Sequence, residues 1–88
     1  MISEREREII IQYAKKYKIS LLLLFGSAAD SNDYNDIDLA VRGLKPELFF
    51  KFYGELLRTL DKPVDLIDLS EESLLNRIIE ERGVKIFG

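Results

Sequence analysis

The sequence predicts a small α/β domain of the α+β type: a mixed sheet of about four strands packed with three main helices. Three observations predict it. Residues 19–25 (Ile-Ser-Leu-Leu-Leu-Leu-Phe) are apolar on both faces, as suits an interior strand covered by helices. Residues 36–42 alternate, with Ile37, Leu39 and Val41 on one face and Asp36 and Asp38 on the other. Three further segments repeat their apolar residues at helical spacing, and short Gly, Pro or polar turns separate them from the strands. The predicted order is α-β-(turn)-β-α-β-α-β.

The first helix opens on a capping box, Ser3-Glu4-Arg5-Glu6, and carries Ile9, Ile10, Tyr13, Ala14 and Tyr17 along one face. Lys15, Lys16 and Lys18 suit its C-terminal end and are read as a solvated helix terminus. Gly26 breaks the first strand, and Ser27 is expected to N-cap a short turn, where a hydroxyl and free amides can meet an anion. Residues 30–35 are a loop by composition; the positions that an EF-hand needs as Gly and Glu hold Asn35 and Val41, so calcium ligation of that type is excluded. After the second strand, Gly43 and Leu44 end it and Pro46 opens a helix whose core face is Leu48, Phe49, Phe52, Tyr53, Leu56, Leu57 and Leu60. Residues 64–69 read as a third strand, with Asp65 an aspartate in an apolar setting that needs a partner. Ser70 is expected to cap the last helix, with Glu71 and Glu72 in its first turn, Leu74, Leu75, Ile78 and Ile79 facing the core, and Gly83 as its stop. Residues 84–87 form a short strand at a sheet edge.

A length of 88 residues, 47% of them apolar, allows one domain over 1–88 with a thin core. The absence of cysteine excludes disulfides, zinc–thiolate sites and a thiol nucleophile. The absence of histidine removes the commonest general base, so catalysis falls to carboxylates, hydroxyls, Lys, Arg or a hard metal. A net charge of −3 argues against DNA or RNA as a partner. No apolar run approaches a membrane span, and the N-terminal residues lack the pattern of a signal peptide, so a cytoplasmic protein without a membrane partner is expected.

Chemistry concentrates at Asp36 and Asp38, which share a strand face. Two carboxylates side by side repel each other unless a cation or proton lies between them, and Mg²⁺ prefers such oxygen ligands and bridges readily to phosphates. Asp65 is the natural third carboxylate. If the first two strands are antiparallel neighbours, Gly26-Ser27 and the aspartates fall at one end of the sheet.

Phe25-Gly26-Ser27, then Asp36-Ile37-Asp38-Leu39-Ala40-Val41, then Val64-Asp65-Leu66 resembles the minimal nucleotidyltransferase domain of the polymerase-beta superfamily, in motif order and over nearly the whole chain. The resemblance implies the nucleotidyltransferase fold, with Asp36, Asp38 and Asp65 as catalytic and metal-holding residues for one or two Mg²⁺ ions, Gly26 and Ser27 gripping the triphosphate of ATP, and Asp65 helping to activate the attacking hydroxyl. Many members are antitoxins that transfer AMP to a tyrosine of a HEPN-type toxin and bind that toxin. The same role, in a type VII-like toxin–antitoxin pair, is what the resemblance implies here. The chain departs from the pattern where members carry arginines after Gly-Ser: those places hold Ala28, Ala29 and Asp30, and Arg42 is a candidate substitute. The alternative reading is therefore a weak or inactive binding module that neutralises its partner by contact alone. A homo-oligomer is compatible with the sequence.

Overall fold

The computed structural model describes residues 1–88. In order, the elements are α1 (Glu4–Lys16), β1 (Leu21–Phe25), α2 (Ser27–Asp30), β2 (Ile37–Arg42), a 3₁₀ turn (Pro46–Leu48) that runs into α3 (Phe49–Thr59), β3 (Val64–Asp68), α4 (Leu74–Arg82) and β4 (Val84–Phe87). The four strands form one mixed sheet in the order β3-β2-β1-β4; β1 is antiparallel to β2 and β4, and β2 is parallel to β3. The predicted element order, the mixed sheet and the edge position of β4 are all present.

The capping box forms as read: the Ser3 hydroxyl accepts from the Glu6 amide at 3.1 Å, and the Ser3 amide donates to Glu6 at 3.0 Å. The Pro46 turn starts α3 through the ring's preset φ. Strand alternation divides the interior in two. Leu22, Leu24, Ile37, Leu39 and Val41 pack under α1 and α3 with Ile10, Ala14, Phe52 and Leu56. On the opposite face Leu23 and Ala40 meet Leu69 and Ile79. That second face is packed by α4 and the segment leading to it.

Several expectations are corrected. Residues 19 and 20 lie outside the strand, after a turn at Tyr17 and Lys18 in which Lys18 takes the left-handed region at φ 55°. In α3, Leu57 faces solvent. Ser73, not Ser70, caps α4, accepting from the Asn76 amide at 3.0 Å, while the Ser70 amide donates to Asp68 in a tight turn. The helix starts three residues later than expected and presents a different face to the sheet. Leu74, Leu75 and Ile78 are 75%, 55% and 43% exposed, and only Ile79 and Asn76 turn inward. Asn76 is tolerated there because its amide donates to the carbonyls of Asp68 and Glu71. No helix is long and apolar enough to cross a membrane.

Candidate active site

Register places the acids. Phe25, the last residue of β1, pairs with Asp38, and Asp38 pairs across the parallel ladder with Asp65. Because Val64, Ile37 and Leu39 point into the larger core, Asp38 and Asp65 emerge together on the other face, at the end where β1 gives way to Gly26-Ser27. The Ile37 amide donates to the Pro63 carbonyl at 2.9 Å, which ties the start of β2 to the turn before β3.

Asp38 is half-buried, whereas Asp36 and Asp65 are exposed. The premise that Asp65 is a buried acid is thus corrected: β3 is the outer strand of the sheet, and the carboxylate reaches solvent. Its place beside Asp38 does not depend on that premise. Burial first, then the charge of Asp65 and a hydrogen bond with it, then the charge of Asp36, push the Asp38 carboxyl above the ordinary carboxylate range. This is a surplus of negative charge on hard oxygen donors, which suits a divalent cation. The three carboxylates are not drawn into one ligand cluster, however. Asp38 and Asp65 are paired across the parallel ladder, and Asp36 acts on Asp38 through its charge from just outside the strand.

Gly26 adopts φ 71° and ψ −159°, a region that L residues rarely enter. A Cβ built on it would strike Oδ2 of Asp38 and stand 3.1 Å from Cγ. Gly26 itself occupies the N-cap position of α2, and Ser27 is the first residue inside that one-turn helix. The expected Ser27 cap is therefore absent, because the serine lies one position too late to accept from the helix amides.

Arg42 does not stand in for the missing arginines. It pairs with Leu21 at the far end of β2 and forms an ion pair with Glu80. Two features of the site were missed in the sequence. Arg82, at the end of α4, lines the same cavity as Gly26. And Glu6, read only as half of a capping box, also accepts from the Tyr34 hydroxyl and, at 3.2 Å, from Lys62, so it joins the loop before Asp36 to the turn before Asp65. No periodicity announces either one, since both depend on contacts made between distant elements.

Residues 8–88 match the family described as "Polymerase beta, Nucleotidyltransferase". A comparison with curated proteins finds no match. Among solved structures, a toxin–antitoxin with AMP-PNP contains a chain that is 29% identical, with a TM-score of 0.78 over 93% of this chain and 73% of that one. The tri-AMPylated Shewanella oneidensis HEPN toxin in complex with MNT antitoxin gives 29% identity and a TM-score of 0.77, covering 99% and 73%. The toxin–antitoxin MntA-HepT gives 27% and 0.75, covering 98% and 73%.

Proposed function

This chain belongs to the polymerase beta nucleotidyltransferase family, and from that membership we propose that it transfers AMP from ATP to a tyrosine hydroxyl of a HEPN-type toxin and so acts as the antitoxin of the pair. The observation that carries the reading is the register that sets Asp38 against Asp65 one strand away from Gly26. The toxin complexes among its structural neighbours, one with AMP-PNP and one with a tri-AMPylated HEPN toxin, support the choice of nucleotide and acceptor.

In this reading Asp38 and Asp65, with Asp36 beside them, would hold one or two Mg²⁺ ions. Mg²⁺, if held there, would supply the charge that lets the acids ionise together and would offset the charge of the leaving group. The Gly26 backbone and the Ser27 hydroxyl hold the triphosphate, with no side chain at Gly26 to keep it from Asp38. The acceptor oxygen attacks the α-phosphorus as the bond to the β-phosphate breaks. Pyrophosphate leaves, and Asp65 takes the phenolic proton, its exposure allowing that proton to pass on to water. Positioning and electrostatics suffice for such a transfer, so the lack of histidine is no obstacle. A cytoplasmic location goes with a reaction that consumes ATP.

The test is calorimetric titration with Mg²⁺ and ATP of the wild type and of an Asp36→Asn/Asp38→Asn variant, followed by mass spectrometry of a HEPN-type toxin incubated with each. Metal-dependent ATP binding and AMP addition, both lost in the variant, are expected. A second reading, neutralisation by contact alone, has one observation in its favour: the three acids do not gather into a closed metal cluster. A double variant that still silences the toxin fully would select it.

A further inference from the structure

The geometry points to Arg82 as the residue that binds the phosphates of the nucleoside triphosphate, in place of the arginines that α2 lacks. The inference rests on the nucleotidyltransferase reading and names the cation of that same site.

Strand order carries the argument. At one end of the sheet stand, from one edge to the other, Asp65 on β3, Asp38 on β2, Phe25 and Gly26 at the end of β1, and the junction of α4 with β4. Leu24 pairs with Val84, so Arg82 and Gly83 arrive directly beside Gly26. Moreover, α4 covers the face on which Asp38 emerges, since Ile79 packs on Leu23 and Ala40. Arg82 therefore shares both the end and the face of the acids, on the opposite side of Gly26 from them.

A cavity of about 460 Å³ opens between α2 and α4, bounded by Gly26, Ala29 and Asp30 on one side and Ile78, Arg82 and Gly83 on the other. Arg82 is its only cation. The α2 wall offers Asp30, which repels phosphate, and the ion pairs of the chain engage Arg5, Lys16, Arg42 and Lys62 but leave Arg82 free. The three acids already balance part of the charge of any Mg²⁺ they would hold, so the phosphates gain from a further cation, and guanidinium matches phosphate oxygens two at a time. A position at the end of a helix is by itself an ordinary place for an arginine. What sets this one apart is an unpaired guanidinium in a cavity that Gly26 also lines.

The test measures binding of inorganic tripolyphosphate and of ATP, each with Mg²⁺, to the wild type, Arg82→Ala, Arg82→Lys and Arg42→Ala. Arg82→Ala is expected to weaken both ligands about 10–100-fold, the range for a charge-assisted hydrogen bond. Arg82→Lys should recover part of the loss, and Arg42→Ala should match the wild type. Because Arg82 is exposed, the variants should keep the wild-type melting temperature, which is read alongside. Equal binding by wild type and Arg82→Ala overturns the assignment while leaving the nucleotidyltransferase reading intact. Loss of ATP binding without loss of tripolyphosphate binding also overturns it, because Arg82 would then read the nucleoside. A wild type that binds neither ligand removes both readings together.

Discussion

The carboxylate of Asp38 occupies the space that a side chain on Gly26 would need: a Cβ there would run into Oδ2 and stand 3.1 Å from Cγ. Two motifs twelve residues apart in the chain are thereby one unit. Gly26→Ala must push the Asp38 carboxyl aside and also strain a backbone at φ 71°, for which about 1–3 kcal/mol is expected. The fold should survive that loss, whereas Mg²⁺-dependent ATP binding should disappear. Chemical denaturation and calorimetry on the same variant separate the two effects. Wild-type affinity in Gly26→Ala would mean that Asp38 does not need its present position.

Asp38→Asn should make the metal-free protein more stable while abolishing transfer. The sign follows from the raised carboxyl. An acid whose folded value lies above its unfolded value destabilises the fold when ionised, so the penalty is absent below the ordinary value of 3.8 and grows as pH rises through the raised one. At neutral pH the variant should therefore be the more stable protein, and the difference should vanish in acid. Adding Mg²⁺ should reverse the order, since only the wild type gains from binding it. By the same competition, Mg²⁺ affinity of the wild type should fall as pH is lowered through the raised value. A variant less stable than wild type at neutral pH without metal would contradict the penalty that burial, and after it the charge of Asp65, imposes on the Asp38 carboxylate.

Much of this was legible in the sequence, for identifiable reasons. Alternation over residues 36–42 needs no tertiary knowledge to assign Ile37, Leu39 and Val41 to a core and Asp36 and Asp38 to the other face. Capping chemistry is equally local, and the Ser3–Glu6 box formed as read. At α4 the local signals competed: Ser70 and Ser73 both precede carboxylate or amide residues that favour a helix start, and the Asp68–Ser70 turn decides between them. Once Ser73 was the cap, a helix read as burying four apolar residues buried one of them and an asparagine. Asp65 was located correctly from a mistaken premise, because burial depends on strand order and β3 became an edge. Arg82 and the partners of Glu6 could not be read at all, since antiparallel pairing of β1 with β4 and the docking of α1 beside residue 34 are tertiary facts.

The group around Glu6 should make stability depend on acid. Burial alone would raise its carboxyl, but hydrogen bonds from the Tyr34 hydroxyl, the Ser3 amide and Lys62 outweigh that and hold it below the ordinary range. A depressed acid stabilises the fold above its unfolded value near 4.5, and that contribution is lost as pH falls through the folded value. Glu6→Gln should remove this acid-dependent part of the stability. At the alkaline end the same bond to Glu6 raises Lys62, whose contribution is complete below 10.5 and fades as pH climbs through the raised value. Tyr34→Phe should lower stability by about 1–2 kcal/mol, toward the low end for a hydrogen bond to a charged group because the pair is partly hydrated. Urea titrations of the three proteins at neutral and mildly acid pH give the answer, and identical pH profiles for wild type and Glu6→Gln would dismiss the network.

Neighbouring positions on α4 should respond very differently to truncation. Ile79 is 3% exposed and fills the space between Leu23, Ala40 and Leu69, so Ile79→Ala opens a cavity in the smaller of the two apolar clusters. Such a change costs about 2–5 kcal/mol, and a thin cluster offers little room for collapse to reduce it. Ile78, one residue earlier, projects into solvent, and Ile78→Ala should stay within about 0.5 kcal/mol. The cap supplies an independent check on the same register. Ser73→Ala removes the acceptor for the Asn76 amide and should cost about 0.5–2 kcal/mol, whereas the Ser70 side chain caps nothing and its replacement should be close to neutral. Denaturant midpoints of the four variants decide the matter. If Ile78→Ala and Ser70→Ala were the damaging pair, Ser70 would be the cap of α4 and Ile78 rather than Ile79 would face the sheet.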